Sequence, residues 1–164
     1  MGVKFNKTSD FERGTIFNLL YKAYSFDEKW VQWGKEKWRE DDDFFFDNLQ
    51  IADKYSFITT LNSEAIGFAA YDPRNMPEYA IIGDNCIVPE HKGKGYGILQ
   101  LHELINRIEL NDVRKIFVST NFDLIAAQRM YERAGFIKLD SSELEPWQVE
   151  KRCDVYYCMT VCAK

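Results

Sequence analysis

The stretch PEHKGKGYG, Pro89 to Gly97, sets the strongest limit on how this chain folds: glycine stands at 93, 95 and 97, with Lys92 and Lys94 between. Glycines at alternate positions suit neither a strand interior nor a helix interior, so the backbone must turn there. Upstream lies an apolar run ending in CIVP; downstream, Leu101, Leu104, Ile105 and Ile108 recur at helical spacing. The loop therefore joins a strand to a helix N-terminus. At such a junction bare backbone amides and the helix dipole point at one spot, and flanking ammonium groups favour an anion. The local reading is a phosphate cradle, with a plain glycine-rich turn as the alternative.

A chain of 164 residues, 46% hydrophobic and 15% aromatic, carries enough apolar material for one well-buried domain and too little for two. A single domain over residues 1–164 is expected. The net charge of −5 argues against a nucleic-acid partner, whose phosphates call for a positive excess, so any anion site is local. MGVKFNKTSD lacks the apolar core of a signal peptide, and no run approaches the roughly 18 to 20 apolar residues that span a bilayer. Asn6 stands where a myristoylation signal needs Ser or Thr. The expectation is a cytoplasmic protein with no membrane partner. Cys86, Cys153, Cys158 and Cys162 form no CxxC pair, and His91 and His102 are the only histidines. No metal site is expected, and the cysteines read as reduced and structural.

VKFN, Val3 to Asn6, reads as a first strand, with Ser9 or Asp10 as N-cap of a helix carrying Phe11, Ile16, Leu19, Leu20 and Ala23. A second helix runs through Trp30, Trp33 and Trp38. EDDDFFFDN, Glu40 to Asn48, reads as a short capped helix burying Phe44 to Phe46, or as a cation-binding cluster. YSFITTL and AIGFAAYD flank Asn62-Ser63-Glu64 as a hairpin. YAIIGDNCIV forms the strand before the loop, and Gly83 in its middle predicts a bulge or a close backbone approach. VRKIFVS is the next strand, and a helix through Ala126, Ala127, Met130 and Ala134 stops at Gly135. FIKL and VYYCMTV complete the sheet across a long loop, DSSELEPWQVEKR.

The ATP or GTP loop needs GxxxxGK[ST], which is absent, and the dinucleotide fingerprint GxGxxG fails because Gln100 stands where its last glycine belongs. Lys92-Gly93-Lys94-Gly95-Tyr96-Gly97 after CIVPEH instead resembles the acyl-CoA-binding signature of the GNAT superfamily of N-acyltransferases, [R/Q]-x-x-G-x-[G/A] after a strand closing in V-x-P. Lys92 stands where that pattern has arginine or glutamine. AAQRMYERAGF, Ala126 to Phe136, is similar to the family's later helix ending in Tyr-Glu-x-x-Gly-Phe, and the element order resembles that fold over nearly the whole chain. The resemblance implies an α/β (α+β) domain: a central mixed, mostly antiparallel, six- to seven-stranded sheet flanked by helices.

The same resemblance implies acetyl-CoA as co-substrate. Lys92 and the loop amides of Gly93, Lys94, Gly95, Tyr96, Gly97 and Ile98 would hold its pyrophosphate. The amides of Ile87 and Val88, and the strand edge at Asn85 and Cys86, would pair with pantetheine and polarise the thioester carbonyl. Tyr131 matches the tyrosine that in many relatives donates a proton to the leaving sulfur, although a tyrosine on an apolar helix face also suits core packing. Asn121 lies near a cofactor-contacting asparagine of many relatives, whose commonest position here carries Leu124. Ile81 and Ser119 occupy the positions where some relatives carry a glutamate base, which leaves Asp84, Glu78, His91 or a water chain.

Acetyl transfer to an amine also needs a proton removed: an alkylammonium with pKa about 10.4 must be deprotonated near neutrality at about 4 to 5 kcal/mol. With no Ser/His/Asp set or CxxC pair, direct attack by a primary amine is expected rather than a covalent enzyme intermediate. The acceptor would be a small-molecule or peptide amine. Tyr21, Tyr24, Trp30 and Trp33 would wall its pocket with Asp41, Asp42 and Asp43 at the rim, since aromatic faces and carboxylates suit a cation. Core packing explains the same aromatics. A homodimer is allowed. The rival readings are a non-catalytic acyl-CoA-binding or regulatory module and a domain for another phosphate ligand.

Overall fold

The computed structural model describes residues 2–140, 153 and 155–162. Its elements run β1 (Val3–Asn6), α1 (Thr15–Tyr24), α2 (Glu28–Asp47), α3 (Leu49–Tyr55), β2 (Ser56–Leu61), β3 (Glu64–Asp72), β4 (Tyr79–Ile87), α4 (Tyr96–Glu109), β5 (Lys115–Thr120), α5 (Ile125–Arg133), β6 (Ile137–Lys138) and β7 (Val155–Thr160). The seven strands form one mixed sheet in the order β1-β2-β3-β4-β5-β7-β6. The β4–β5 pair is parallel, while β1–β2, β2–β3, β5–β7 and β6–β7 are antiparallel. This is the fold class expected of the chain. The long loop expected before β7 lies, from residue 141 to 152, outside the described residues. None of the helices among the described residues is long and apolar enough to cross a membrane.

Two compact units divide the chain. The first contains the residues up to Ala70 together with Asp84–Glu103; the second contains Tyr71–Gly83 and the residues from Leu104 onward. In the first unit Ile16, Leu19, Leu20 and Ala23 make the buried stripe of α1, at the spacing that puts four side chains on one helical face. They pack with Trp38, Ile58, Ile66, Phe68, Cys86 and Val88 into one apolar cluster. The β2–β3 turn places Asn62 at φ 50° and Ser63 at φ 72°, the left-handed pair that a two-residue hairpin requires. Between Thr59↔Gly67 and Thr60↔Ala65 the register skips Ile66, so the bulge falls on β3.

Helices α1 to α3 depart from the sequence reading. Thr8–Asp10 form a short 3-10 turn and α1 begins only at Thr15, so neither Ser9 nor Asp10 caps it. The cap comes from elsewhere in the chain: the Asp42 carboxylate accepts from Gly14 N at 2.8 Å and Phe17 N at 3.0 Å. Glu40–Asn48 is not a separate helix. It closes the 20-residue α2, which starts on the side-chain cap of Asp27 and has no break through its length. Phe44 is half-exposed at 51%, while Phe45 and Phe46 are partly buried. Gly34 fits inside α2 because Trp38 folds back over it, so that a Cβ there would stand 2.2 Å from the indole. The short α3 went unread in the sequence.

In the second unit β5 and β7 pair from Lys115↔Thr160 to Thr120↔Val155, and Tyr79 packs edge-on against Phe117 at 5.3 Å. Helix α5 stops where Gly135 predicts, with that glycine at φ 101°. Gly135 N donates to Glu132 O at 3.1 Å and Phe136 N to Tyr131 O at 3.0 Å, and the Tyr131 and Phe136 rings touch, 5.8 Å between centroids. Those two bonds and the apolar contact are the Schellman closure of a helix.

Candidate active site

Strand β4 pairs with β5 over Tyr79–Ile82, and Gly83 follows that stretch. Asp84 to Ile87 continue the strand, a 3-10 turn over Pro89–His91 ends it, and Tyr96 opens α4. Between them Gly93 lies at φ 73° and Gly95 at φ 86°, backbone that side chains with a Cβ rarely adopt. An added Cβ on either would meet nothing within 4 Å, so conformation demands glycine here and the space over the loop is open. The loop feeds directly into a 14-residue helix whose first amides have no intrahelical acceptor. This geometry fits a pyrophosphate held by amides and the helix dipole.

The two lysines of the loop are each hydrogen-bonded to a backbone carbonyl. Lys92 Nζ donates to Ala23 O at 2.7 Å, at the end of α1, and lies 5.0 Å from the Phe26 ring centre. Lys94 Nζ donates to Glu90 O at 2.8 Å. Both ammonium groups brace the loop. Beside them, His91 packs edge-on against Tyr96 at 5.9 Å, and its buried Nδ1 has no hydrogen-bond partner among the described residues.

The strand edge expected to meet the cofactor, Asn85 to Val88, lies at the end of β4. Val88 does not present its amide outward: Val88 N donates to the carbonyl of the bulged Ile66 at 2.8 Å. Strand amides alternate in direction, so Ile87 and Asn85 present theirs to the opposite edge. Burial, with the neighbouring charge of Asp84 adding to it, pushes the Cys86 thiol up to about 12, so it is no nucleophile near neutral pH. Behind this edge lies a residue that motif reasoning used only to reject a nucleotide fingerprint. Gln100, fully buried in α4, accepts from Thr59 Oγ1 at 2.6 Å and donates to Asn85 Oδ1 at 2.7 Å and to Phe68 O and Cys86 O at 3.1 Å each. Gly67 leaves it room: a Cβ there would stand 2.4 Å from Gln100 Oε1.

Asp84 retains some accessible surface, yet the protein around its carboxyl dominates its chemistry. Burial first, and the charge of Asp41 second, push it up to about 7, against the pull of Lys37. Lys37 and Asp41 themselves form an ion pair one turn apart on α2. A carboxyl poised near neutrality is what a general base requires. Glu78, the other acidic candidate, is exposed and paired to Arg114 at 2.8 Å.

Of the expected acceptor residues, Asp42 is not at a rim: it is 3% exposed and its carboxylate is committed to the α1 N-terminus. Tyr24 stacks on Trp38 with ring centroids 5.7 Å apart, and Trp33 stands 53% exposed, edge-on to Trp30 at 6.0 Å. In the second unit Tyr131 is 5% exposed and packs against Phe136 and Tyr157. Asn121 turns the chain before α5, its carbonyl accepting from Leu124 N at 3.0 Å and Gln128 Nε2 at 2.9 Å.

A mixed seven-stranded sheet whose fourth strand runs through a left-handed glycine loop into a helix N-terminus defines the α/β class of this chain. The model of the acetyltransferase (GNAT) family matches residues 15–136, and the chain belongs to that family. Solved structures share its fold. An acetyltransferase from Streptococcus agalactiae is 15% identical, with 98% of this chain and 99% of that one covered at TM-score 0.69. The ribosomal-protein-S18-alanine N-acetyltransferase of Escherichia coli is 17% identical, with 99% and 94% covered at TM-score 0.68. The Salmonella typhimurium protein yncA, solved with its cofactor acetyl-CoA, is 14% identical, with 96% and 92% covered at TM-score 0.69. No curated protein matches the sequence.

Proposed function

We propose that this acetyltransferase moves an acetyl group from acetyl-CoA to a primary amine by direct attack. The observation that carries the reading is the loop with Gly93 and Gly95 at positive φ, open above, between the β4 edge and the N-terminus of α4. When bound, acetyl-CoA supplies an activated acyl thioester. Amides from Gly93 to Ile98 hold its pyrophosphate, and the outward amides of Asn85 and Ile87 align the pantetheine and thioester carbonyl. Asp84 takes the proton from the incoming ammonium, directly or through water, and Tyr131 returns one to the sulfur. Trp33 and Tyr24 meet the cationic acceptor. The buried, protonated Cys86 thiol favours direct attack over an acyl-enzyme.

The test is a panel of small-molecule and peptide amines, N-terminal alanine peptides included, with acetyl-CoA and thiol release as readout. Acetyl-CoA alone at 100 times its Kd is expected to stabilise the fold by about 2.7 kcal/mol, visible as a raised Tm. Gly95→Asp, which adds a Cβ and a negative charge inside the cradle, should abolish that shift. A folded Gly95→Asp protein that binds acetyl-CoA as before would overturn the cradle; binding without thiol release from any amine would leave a CoA-binding module.

A further inference from the structure

Gln100 sits on the second turn of α4, whose N-terminus ends the glycine loop, yet every polar atom of its side chain reaches away from that loop into the sheet. Its Oε1 holds Thr59 on β2; its Nε2 reaches Phe68 O on β3 and both Asn85 Oδ1 and Cys86 O on β4. Two N–H hydrogens serve three acceptors, so one is shared, and the amide has no spare capacity. Full burial of such a group on a face that Leu101 and Leu104 otherwise keep apolar has a cost that an apolar side chain there would not incur. Packing alone would be met by leucine. What leucine lacks is a way to fix the rotamer of Asn85 and the direction of the Cys86 carbonyl.

We propose that Gln100 is a positioning residue for the pantetheine and thioester: its amide locks the Asn85–Cys86 segment of β4 to the helix that carries the phosphate cradle, so the two halves of the cofactor site keep one spacing. The inference rests on the acyl-CoA reading of the loop. Phosphates seated at Gly93–Ile98 then find the strand edge already at the distance the pantetheine spans, and a change at either end is transmitted through one side chain.

Calorimetry on the purified protein with two probes tests it: acetyl-CoA, and 3′-phospho-ADP, which has the phosphates without the pantetheine. Gln100→Met keeps length and apolar bulk while removing all four bonds. Per folded molecule it should weaken acetyl-CoA binding about tenfold or more and leave 3′-phospho-ADP within about threefold, because only the first needs the strand edge. Thr59→Val, which removes only the β2 bond, should lower Tm and spare both affinities. Should Gln100→Met fail to fold, side-chain amide NMR of the wild-type protein decides: 3′-phospho-ADP should shift the Gln100 and Asn85 amide signals although it does not reach them. Equal loss for both probes, or unshifted amides, would overturn the proposal. If the wild-type protein bound neither probe, the acyl-CoA reading would fall and take this inference with it.

Discussion

Asp84 is the residue whose charge state matters most. Its carboxyl is raised to about 7 by burial and by Asp41, so folding makes it hold a proton that the unfolded chain releases above its ordinary value near 4. Below that value both states are protonated and nothing is gained or lost. As pH rises towards 7 the folded state loses stability through this group, and above 7 the full penalty is present. Asp84→Asn should therefore equal the wild type in Tm near pH 4 and exceed it at pH 8, as thermal melts across that range would show. If Asp84 is the base, kcat/KM of the wild type rises through about pH 7 to a plateau and the Asn variant loses that limb along with most of its rate. Tyr131 poses the opposite case, since its carbonyl closes α5 and its ring packs on Phe136 and Tyr157. Tyr131→Phe keeps all of that. A proton donor lost there should cost roughly ten- to a thousandfold in kcat with acetyl-CoA affinity unchanged; normal turnover would assign the residue to packing and capping alone.

At the level of elements, α2 acts as the mould for α1. Asp42→Ala would strand the amides of Gly14 and Phe17, a cost of about 2 kcal/mol, and lower Tm by roughly 4 to 8 °C. Turnover per folded molecule and the acceptor KM should stay as they are; a rise in KM would restore Asp42 to the acceptor side. The same pair of helices marks where local reading stops working. The β2–β3 turn, the stripe of α4 and the Gly135 stop were legible because their determinants lie within a few residues of each other. The start of α1 was not, because its cap comes from a carboxylate 28 positions away. Asp41 to Asp43 look alike in sequence, and only the fold distinguishes the one that is buried. The strand edge fails for the same reason: the bulge at Ile66, whose carbonyl claims the Val88 amide, is set by the β2–β3 register, and no string around Val88 announces it. Gln100 was visible only as an interruption of a glycine pattern.

For the molecule as a whole, family and the order of elements along the chain were carried by two short strings, Lys92–Gly97 and Ala126–Phe136, together with the alternation of apolar runs; the strand order in the sheet and the tuning of the site were not, because burial of Asp84 and Cys86 depends on what the entire fold brings around them. One consequence reaches beyond any single residue. The glycine loop is cross-braced: Lys92 Nζ is anchored on Ala23 O, Lys94 Nζ on Glu90 O, Lys92 N on Pro89 O and Leu99 N on Gly95 O. A receptor already shaped before its guest arrives spares the complex the conformational entropy of ordering a loop. If the loop seats acetyl-CoA as proposed, the lysines act through disorder avoided: the chain's freedom there is surrendered once, at folding, and not again with each ligand bound.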